Sequence, residues 1–263
     1  MTFDEMLETG RRESELTIPE SWAQGRATFG GVVAGLLFDR MQRQVAEGRP
    51  MRSLQVSFVG PVFPGEPMTV ASELLREGKN ASQTLGRITQ GENTCVVATA
   101  SFGADRESAV EVAGRYSAPD FKAPEYSKPI PRVPGVTPAF MQHIEARWAV
   151  GDVPFTGCDS RQMGGWMRFT ETPEIISDAH LVALVDAWPP AVLPMLSKPA
   201  PASTLSWSLD ILHPRPEIRP GEWLMYLATV DQAEAGYGHT QAQIWNQAGE
   251  LVALSRQTVT VFG

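Results

Sequence analysis

The sequence predicts an α+β fold made of two similar helix-and-sheet modules, and three observations carry that prediction. Residues 53–66 (SLQVSFVGPVFPGE) and 204–222 (TLSWSLDILHPRPEIRPGE) resemble each other. Each block leads into alternating strand-like runs, a Gly-Glu turn (Gly91-Glu92 and Gly249-Glu250) and an apolar strand that ends in Phe-Gly. Each is preceded by an apolar helical stretch, FGGVVAGLLFDRM at 29–41 and SDAHLVALVDAWPPAVL at 177–193. Two copies in 263 residues give modules of roughly 110–130 residues, an ordinary domain size and too few repeats for a solenoid.

The elements follow in order. A short helical lead-in lies around Phe3–Glu8. In the first apolar stretch Phe29, Val32, Val33, Leu36, Leu37 and Met41 recur at helical spacing and cover more than one face, so this helix should be wrapped by other structure. Strands are expected at 52–60, 67–76, 82–90 and 94–103, with EGKN (77–80) and QGEN (90–93) as turns. Residues 104–138 have little periodicity and six prolines from Pro119 to Pro138, the pattern of an extended linker. It divides a first domain, 1–103, from a second, 139–263. The second opens with alternation over FMQHIEARWAV (140–150) and a strand over QMGGWMRFTE (162–171). Its helix is capped at Ser177 or Asp178 and ended or kinked by Pro189-Pro190. Strands follow at 204–213, 222–233, 237–246 and 250–262. Each module thus reads as an antiparallel sheet packed on one long apolar helix.

Composition excludes several classes. The net charge is −8 and the pI is near 5.1, which argues against nucleic acid as a partner. No apolar run is long enough to span a bilayer, and MTFDEMLETGRRESE lacks the apolar centre of a signal peptide. Cys95 and Cys158 suit a reducing compartment better than a disulfide framework. A cytoplasmic location is therefore expected. There is no G-x-S-x-G, no phosphate loop, no dinucleotide fingerprint, no H-E-x-x-H and no C-x-x-C. His143, His180, His213 and His239 are scattered without metal-ligand spacing. No metal and no cofactor are expected, which leaves acid–base chemistry by ordinary side chains.

Aligning the copies separates them. Asp186 falls opposite Leu37, Thr204 opposite Ser53 and Gln257 opposite Phe102. Asp186 sits in HLVALVDAWPP, where a buried carboxylate needs partners; taken singly, it reads equally well as a cap before Pro189. Gln257 alone could be a solvated strand residue, and Thr204 simply a good strand former. Together, an Asp, a hydroxyl and a carboxamide around one cavity can hold a water, the Asp taking its proton and the other two orienting it. Such a site hydrolyses an activated acyl group without a nucleophilic side chain. Gly30 and Gly31 open the first helix. They serve either to admit a ligand to free N–H groups that favour an oxyanion, or to allow close packing.

Over its whole length the chain resembles the double-hotdog acyl-CoA thioesterases, of the acyl-CoA thioesterase II type and their thioesterase-like relatives. FGGVVAGLL (29–37), VVATASFG (96–103), EWLMY (222–226) and GELVALSRQ (249–257) carry the likeness. It implies two antiparallel sheets, each wrapped around a long central helix and packed as a pseudo-dimer. It implies hydrolysis of acyl-CoA to a free acid and CoA in fatty acid metabolism. It also implies that Asp186, Thr204 and Gln257 orient the hydrolytic water, with Gly30 and Gly31 at the oxyanion, and that two chains pair as a homodimer. The segment from Asp186 to Thr204 is shorter than the family pattern, and Ser206 stands where a polar residue often follows the Thr. Arg26, Arg76, Lys79 and Arg87 are the cations considered for the CoA phosphates, and the acyl chain would lie between the helices. Two rivals use the same fold. An enoyl-CoA hydratase or dehydratase would need an Asp–His pair, but His180 is six residues from Asp186 and off its helical face. A non-catalytic acyl-ligand-binding protein would leave Asp186 and Gln257 pointing apart.

Overall fold

The computed structural model describes residues 1–262. The first part of the chain contains α1 (Phe3–Arg12), β1 (Glu15–Thr17), β2 (Ala23–Gln24), β3 (Ala27–Thr28), α2 (Gly30–Gln42), β4 (Met51–Phe58), β5 (Pro67–Glu77), β6 (Ala81–Gln90) and β7 (Asn93–Gly103). It continues with β8 (Lys128–Pro129), β9 (Ile144–Val150), β10 (Gln162–Phe169), α3 (Asp178–Val185), β11 (Ala202–Ile211), β12 (Leu224–Glu234), β13 (Tyr237–Trp245) and β14 (Leu251–Val261). α1 starts where the lead-in expected at 3–8 does, with Thr2 and Glu5 forming a reciprocal capping box, and runs on to Arg12, where Arg11 and Arg12 place cations in the last turn.

The two sheets expected from the sequence are halves of one. Twelve strands run in the order β1-β5-β6-β7-β4-β11-β14-β13-β12-β10-β9-β8. The halves join where β4 runs antiparallel to β11, with Ser57 opposite Ser206 and Leu54 opposite Leu209. Alternation sets this register. Leu54, Val56, Trp207 and Leu209 are buried, while Gln55, Ser57 and Ser206 are exposed.

The second helix is shorter than the long element expected. It has eight residues and ends at Val185, with Asp186 as its C-cap at φ −85° and ψ 0°. Pro189 and Pro190 have no N–H for the carbonyls four residues back, and Trp188, preceding a proline, is disfavoured in the helical region. The strand expected from 140 likewise starts only at Ile144. Pro138 caps a 3₁₀ turn over Ala139–Gln142 that buries Phe140 and Met141, and Phe140 stacks on Phe29 at 4.0 Å between centroids.

Residues 104–138 run mostly without regular structure. Tyr116, Ala118 and Phe121 pack over Trp166, Trp223, Met225 and Trp245, on the sheet face away from the helices. The Trp166 Nε1–H donates to the Lys122 carbonyl at 2.9 Å. In the first half two of the three slots matching the polar trio are filled by apolar side chains. Leu37 and Phe102 are buried, and Phe38 stacks on Phe102 at 6.0 Å. Leu37 and Met41 lie so close to Gly86 that a Cβ there would stand 2.8 Å from Leu37 Cδ1.

The two helices cross in opposite directions through small residues. Gly31 faces Ala183 and Gly35 faces Ala179. A methyl on Gly31 would strike the Ala183 carbonyl oxygen, and one on Gly35 would stand 2.8 Å from Phe3 Cζ and 2.9 Å from the Ala179 carbonyl oxygen. With nothing larger between them, the end of α3 lands on the start of α2. We expect Gly35→Ala to force the helices apart and destabilise the protein by about 1–3 kcal/mol. A lowered urea midpoint at unchanged m-value is the readout; an unchanged midpoint would mean the contact is slack.

Candidate active site

Phe29 precedes α2 and offers no side-chain cap to the helix. Free N–H groups and a positive end of the helix dipole remain there. Asp186, arriving from the end of α3, fills that role from outside. Its carboxylate accepts from the Gly31 backbone N–H and from Gln257 Nε2 at 2.8 Å. Glycine at position 30 leaves the approach open, since a Cβ there would stand 2.8 Å from Asp186 Oδ2 and 3.3 Å from the Phe58 ring.

Gln257 lies on β14, between Trp207 of β11 and Thr240 of β13. The register of β11 slips between Thr204 and Ser206, a bulge that leaves Leu205 unpaired and re-aims its neighbour. Thr204 Oγ1 then donates to Gln257 Oε1 at 3.4 Å. The three side chains form a directional chain. The Thr hydroxyl orients the Gln amide so that its NH₂ faces the carboxylate.

Burial pushes the Asp186 carboxyl up to about 7, against the opposing pull of the Gln257 and Gly31 donors. The same apolar surroundings raise the Tyr226 phenol, and the nearby Asp186 charge raises it further. Tyr226 projects from β12 and stacks on Trp188, with ring centroids 5.7 Å apart and planes 3° from parallel. A partly accessible carboxylate poised near neutrality, with both its donors supplied by protein, can accept a proton from a bound water.

All five residues singled out in the sequence meet at this one place: Gly30, Gly31, Asp186, Thr204 and Gln257. The N–H of Gly31 is already given to Asp186. Of the four cations considered, Arg26 is exposed in the turn just before α2. Arg76 and Lys79 belong to the β5–β6 hairpin at the opposite end of the sheet, where Arg49 Nη2 donates to the Lys79 carbonyl at 3.1 Å. Arg87 pairs across to Val97 on an exposed position of β6. Among the described residues no cluster of His, Cys, Asp and Glu could hold a metal, and no helix is long and apolar enough to cross a membrane.

Sequence reasoning passed over Trp188, Tyr226 and Phe58 as site neighbours. The available signal was a hydroxyl in an otherwise apolar alternation. Leu224, Ala228 and Val230 occupy the same helix-facing side of β12 as Tyr226.

Known proteins match along the whole fold. A family model described as the acyl-CoA thioesterase N-terminal domain matches residues 18–103, and one described as the C-terminal domain matches residues 122–261. Acyl-CoA thioesterase 2 of Haemophilus influenzae is 24% identical over 252 residues, covering 88% of this chain and 86% of that protein. A hot-dog-fold protein from Alicyclobacillus acidocaldarius superposes with a TM-score of 0.81 at 21% identity, over 95% of this chain and 92% of the other. The acyl-CoA thioesterase II TesB2 of Mycobacterium marinum gives 0.73 at 18% identity, over 94% and 92%. With an α+β hotdog architecture and family models matched in both halves, the chain belongs to the acyl-CoA thioesterase family and is a thioester hydrolase.

Proposed function

We propose that Asp186 is the general base of acyl-CoA hydrolysis, taking a proton from a water that attacks the thioester carbonyl. Gln257 Nε2 holds the carboxylate through Oδ1, and Thr204 fixes the Gln amide through its other end. The attacked oxygen turns toward N–H groups at the start of α2, with Gly30 giving the substrate room to approach the backbone. The tetrahedral intermediate then collapses, the carbon–sulfur bond breaks, and CoA leaves as the thiolate to be protonated by solvent. The observation that carries this reading is a half-buried carboxylate, raised to about 7 by its apolar surroundings, between a carboxamide and a helix N-terminus. The hydratase reading gains nothing from His180, which is engaged by Asp4 Oδ1 at 3.1 Å and by Ser177 Oγ at 2.7 Å at the far end of α3.

The same proposal takes residues 1–103 and 139–263 as two hotdog domains forming an internal pseudo-dimer, with 104–138 as linker. One working site per chain is expected, because apolar Leu37 and Phe102 fill two of the three corresponding slots of the first half. We assign the enzyme to the cytoplasm, consistent with its two unpaired cysteines, and to acyl-CoA turnover in fatty acid metabolism. A homodimer is the proposed assembly.

Release of free thiol from acyl-CoAs of varied length and branching tests the assignment. Asp186→Ala should lower kcat by at least about a hundredfold, and Gln257→Ala by roughly tenfold or more. Full activity in both variants would remove the site while sparing the family. Gly30→Ala, whose methyl would press on the carboxylate, should depress kcat more than it depresses thermal stability.

The pH dependence has a defined sign. The base works when ionised, so kcat/KM should rise with pH through about 7 and then level off. Stability runs the other way. An unfolded Asp releases its proton near about 3.9, whereas the folded one holds it to about 7. Stability present below the lower value is therefore lost as pH rises through the higher one. Asp186→Asn cannot ionise, so its Tm relative to wild type should climb between pH 5 and pH 8; a pH-independent difference would contradict the raised carboxyl.

A further inference from the structure

Gln257 is held more firmly at one end than at the other. Its Nε2–H donates to Asp186 at 2.8 Å, while the Thr204 hydroxyl meets its Oε1 at 3.4 Å. The remaining restraint comes from β11. Trp207 pairs directly with Gln257 in the β11–β14 ladder. Residues opposite each other in a sheet share a face, with Cβ atoms about 4.5–5.5 Å apart. The Trp207 indole Nε1–H donates diagonally to Ser255 Oγ at 2.9 Å. Ser255 lies two residues before Gln257 on β14 and so on the same face. Trp207 is 2% exposed and Ser255 7%. The indole therefore flanks Gln257 and is bonded to the strand that carries it.

The first half shows that the fold does not need this bond. Val56 and Ala100 stand at the matching positions, each 2% exposed, and neither side chain can form a hydrogen bond. Trp in place of Val adds a buried N–H that requires an acceptor, and Ser255 supplies it. The pair occurs in the half where Asp186 and Gln257 stand in place of Leu37 and Phe102. The bulge gives it a task. Thr204 and Trp207 are three residues apart and would face opposite sides of a regular strand. The extra residue, Leu205, brings both to the side that Gln257 occupies. A bulge interrupts the ladder, and the Trp207–Ser255 bond ties β11 to β14 just beyond the interruption.

Resting on the reading of Asp186 as the base, we infer that Trp207 and Ser255 are positioning residues. Their bond locks β11 against β14 beside the bulge and keeps the Gln257 carboxamide aimed at the carboxylate. They act through Gln257 and need no contact with substrate.

The test uses whichever of acetyl-, hexanoyl- and palmitoyl-CoA wild type hydrolyses fastest. It measures kcat, KM, their pH dependence and Tm for wild type, Trp207→Phe, Ser255→Ala and the double variant that combines the two. Each single variant should lower kcat about tenfold with KM little changed, because a misaimed group costs turnover rather than binding. The Gln257 donor pulls the Asp186 carboxyl down, so a loosened amide should also move the rising limb of kcat/KM to higher pH. Ser255→Ala strands a buried N–H, whereas the double variant leaves neither partner unpaired. The double variant should thus regain Tm relative to Ser255→Ala while keeping the kcat deficit and the displaced limb. Variants that lose Tm but keep wild-type kcat and limb would overturn the proposal. So would a double variant that recovers kcat and limb together with Tm, since the bond would then serve packing alone. Full activity in Asp186→Ala would instead overturn the reading of Asp186 on which the proposal stands.

Discussion

The site depends on a carboxylate from the end of one helix set against the uncapped start of another. Asp186 takes the place that an N-cap side chain would occupy on α2, and the Gly31 N–H and the Gln257 amide hold it there. Burial and hydrogen bonding act in opposition on this group. The apolar setting raises its proton affinity, while the two donors lower it. The balance falls near neutral pH, where a carboxylate is both available and basic enough to take a proton from water.

That contact exists only because the helices touch so closely. Gly31 and Gly35 on α2 meet Ala183 and Ala179 on α3. A larger residue at these positions would separate the backbones and lift Asp186 away from the N-terminus it caps. The early end of α3 matters equally. Pro189 and Pro190 cannot continue the hydrogen-bond ladder, so the chain leaves the helix at Asp186 and turns Trp188 into the wall beside it.

The sheet supplies the rest of the constellation. Joining β4 to β11 makes one surface of two half-sheets and sets β11 between β4 and β14, so that Thr204 and Gln257 come from adjacent strands. The bulge at Leu205 re-aims Thr204, at the point where the pairing of β11 with β4 ends. Only the second half keeps polar groups in all three slots, since the first has Ser53 but Leu37 and Phe102 in the other two. In the first, Leu37 and Phe102 belong to continuous apolar packing around Gly86 and Phe38.

Much of this was legible in the sequence. Duplication, apolar helices and alternating strands specified two helix-and-sheet modules, because periodicity records which face of an element is buried, and the resemblance to the thioesterases added the hotdog arrangement. Comparing the copies isolated Asp186 and Gln257, because a polar residue stands out against an apolar counterpart, and Thr204 joined them as the hydroxyl opposite Ser53. Other features were decided only in three dimensions. The fusion of two sheets depends on the pairing of strands 150 residues apart, about which local alternation is silent. The use of Gly31 as partner to Asp186, and the placement of Arg76 and Lys79 far from the site, follow from how the helices cross and which end of the sheet they face. Local pattern fixes what each segment buries; the meeting of a helix end, a helix start and two strands at one carboxylate is a property of the packed chain.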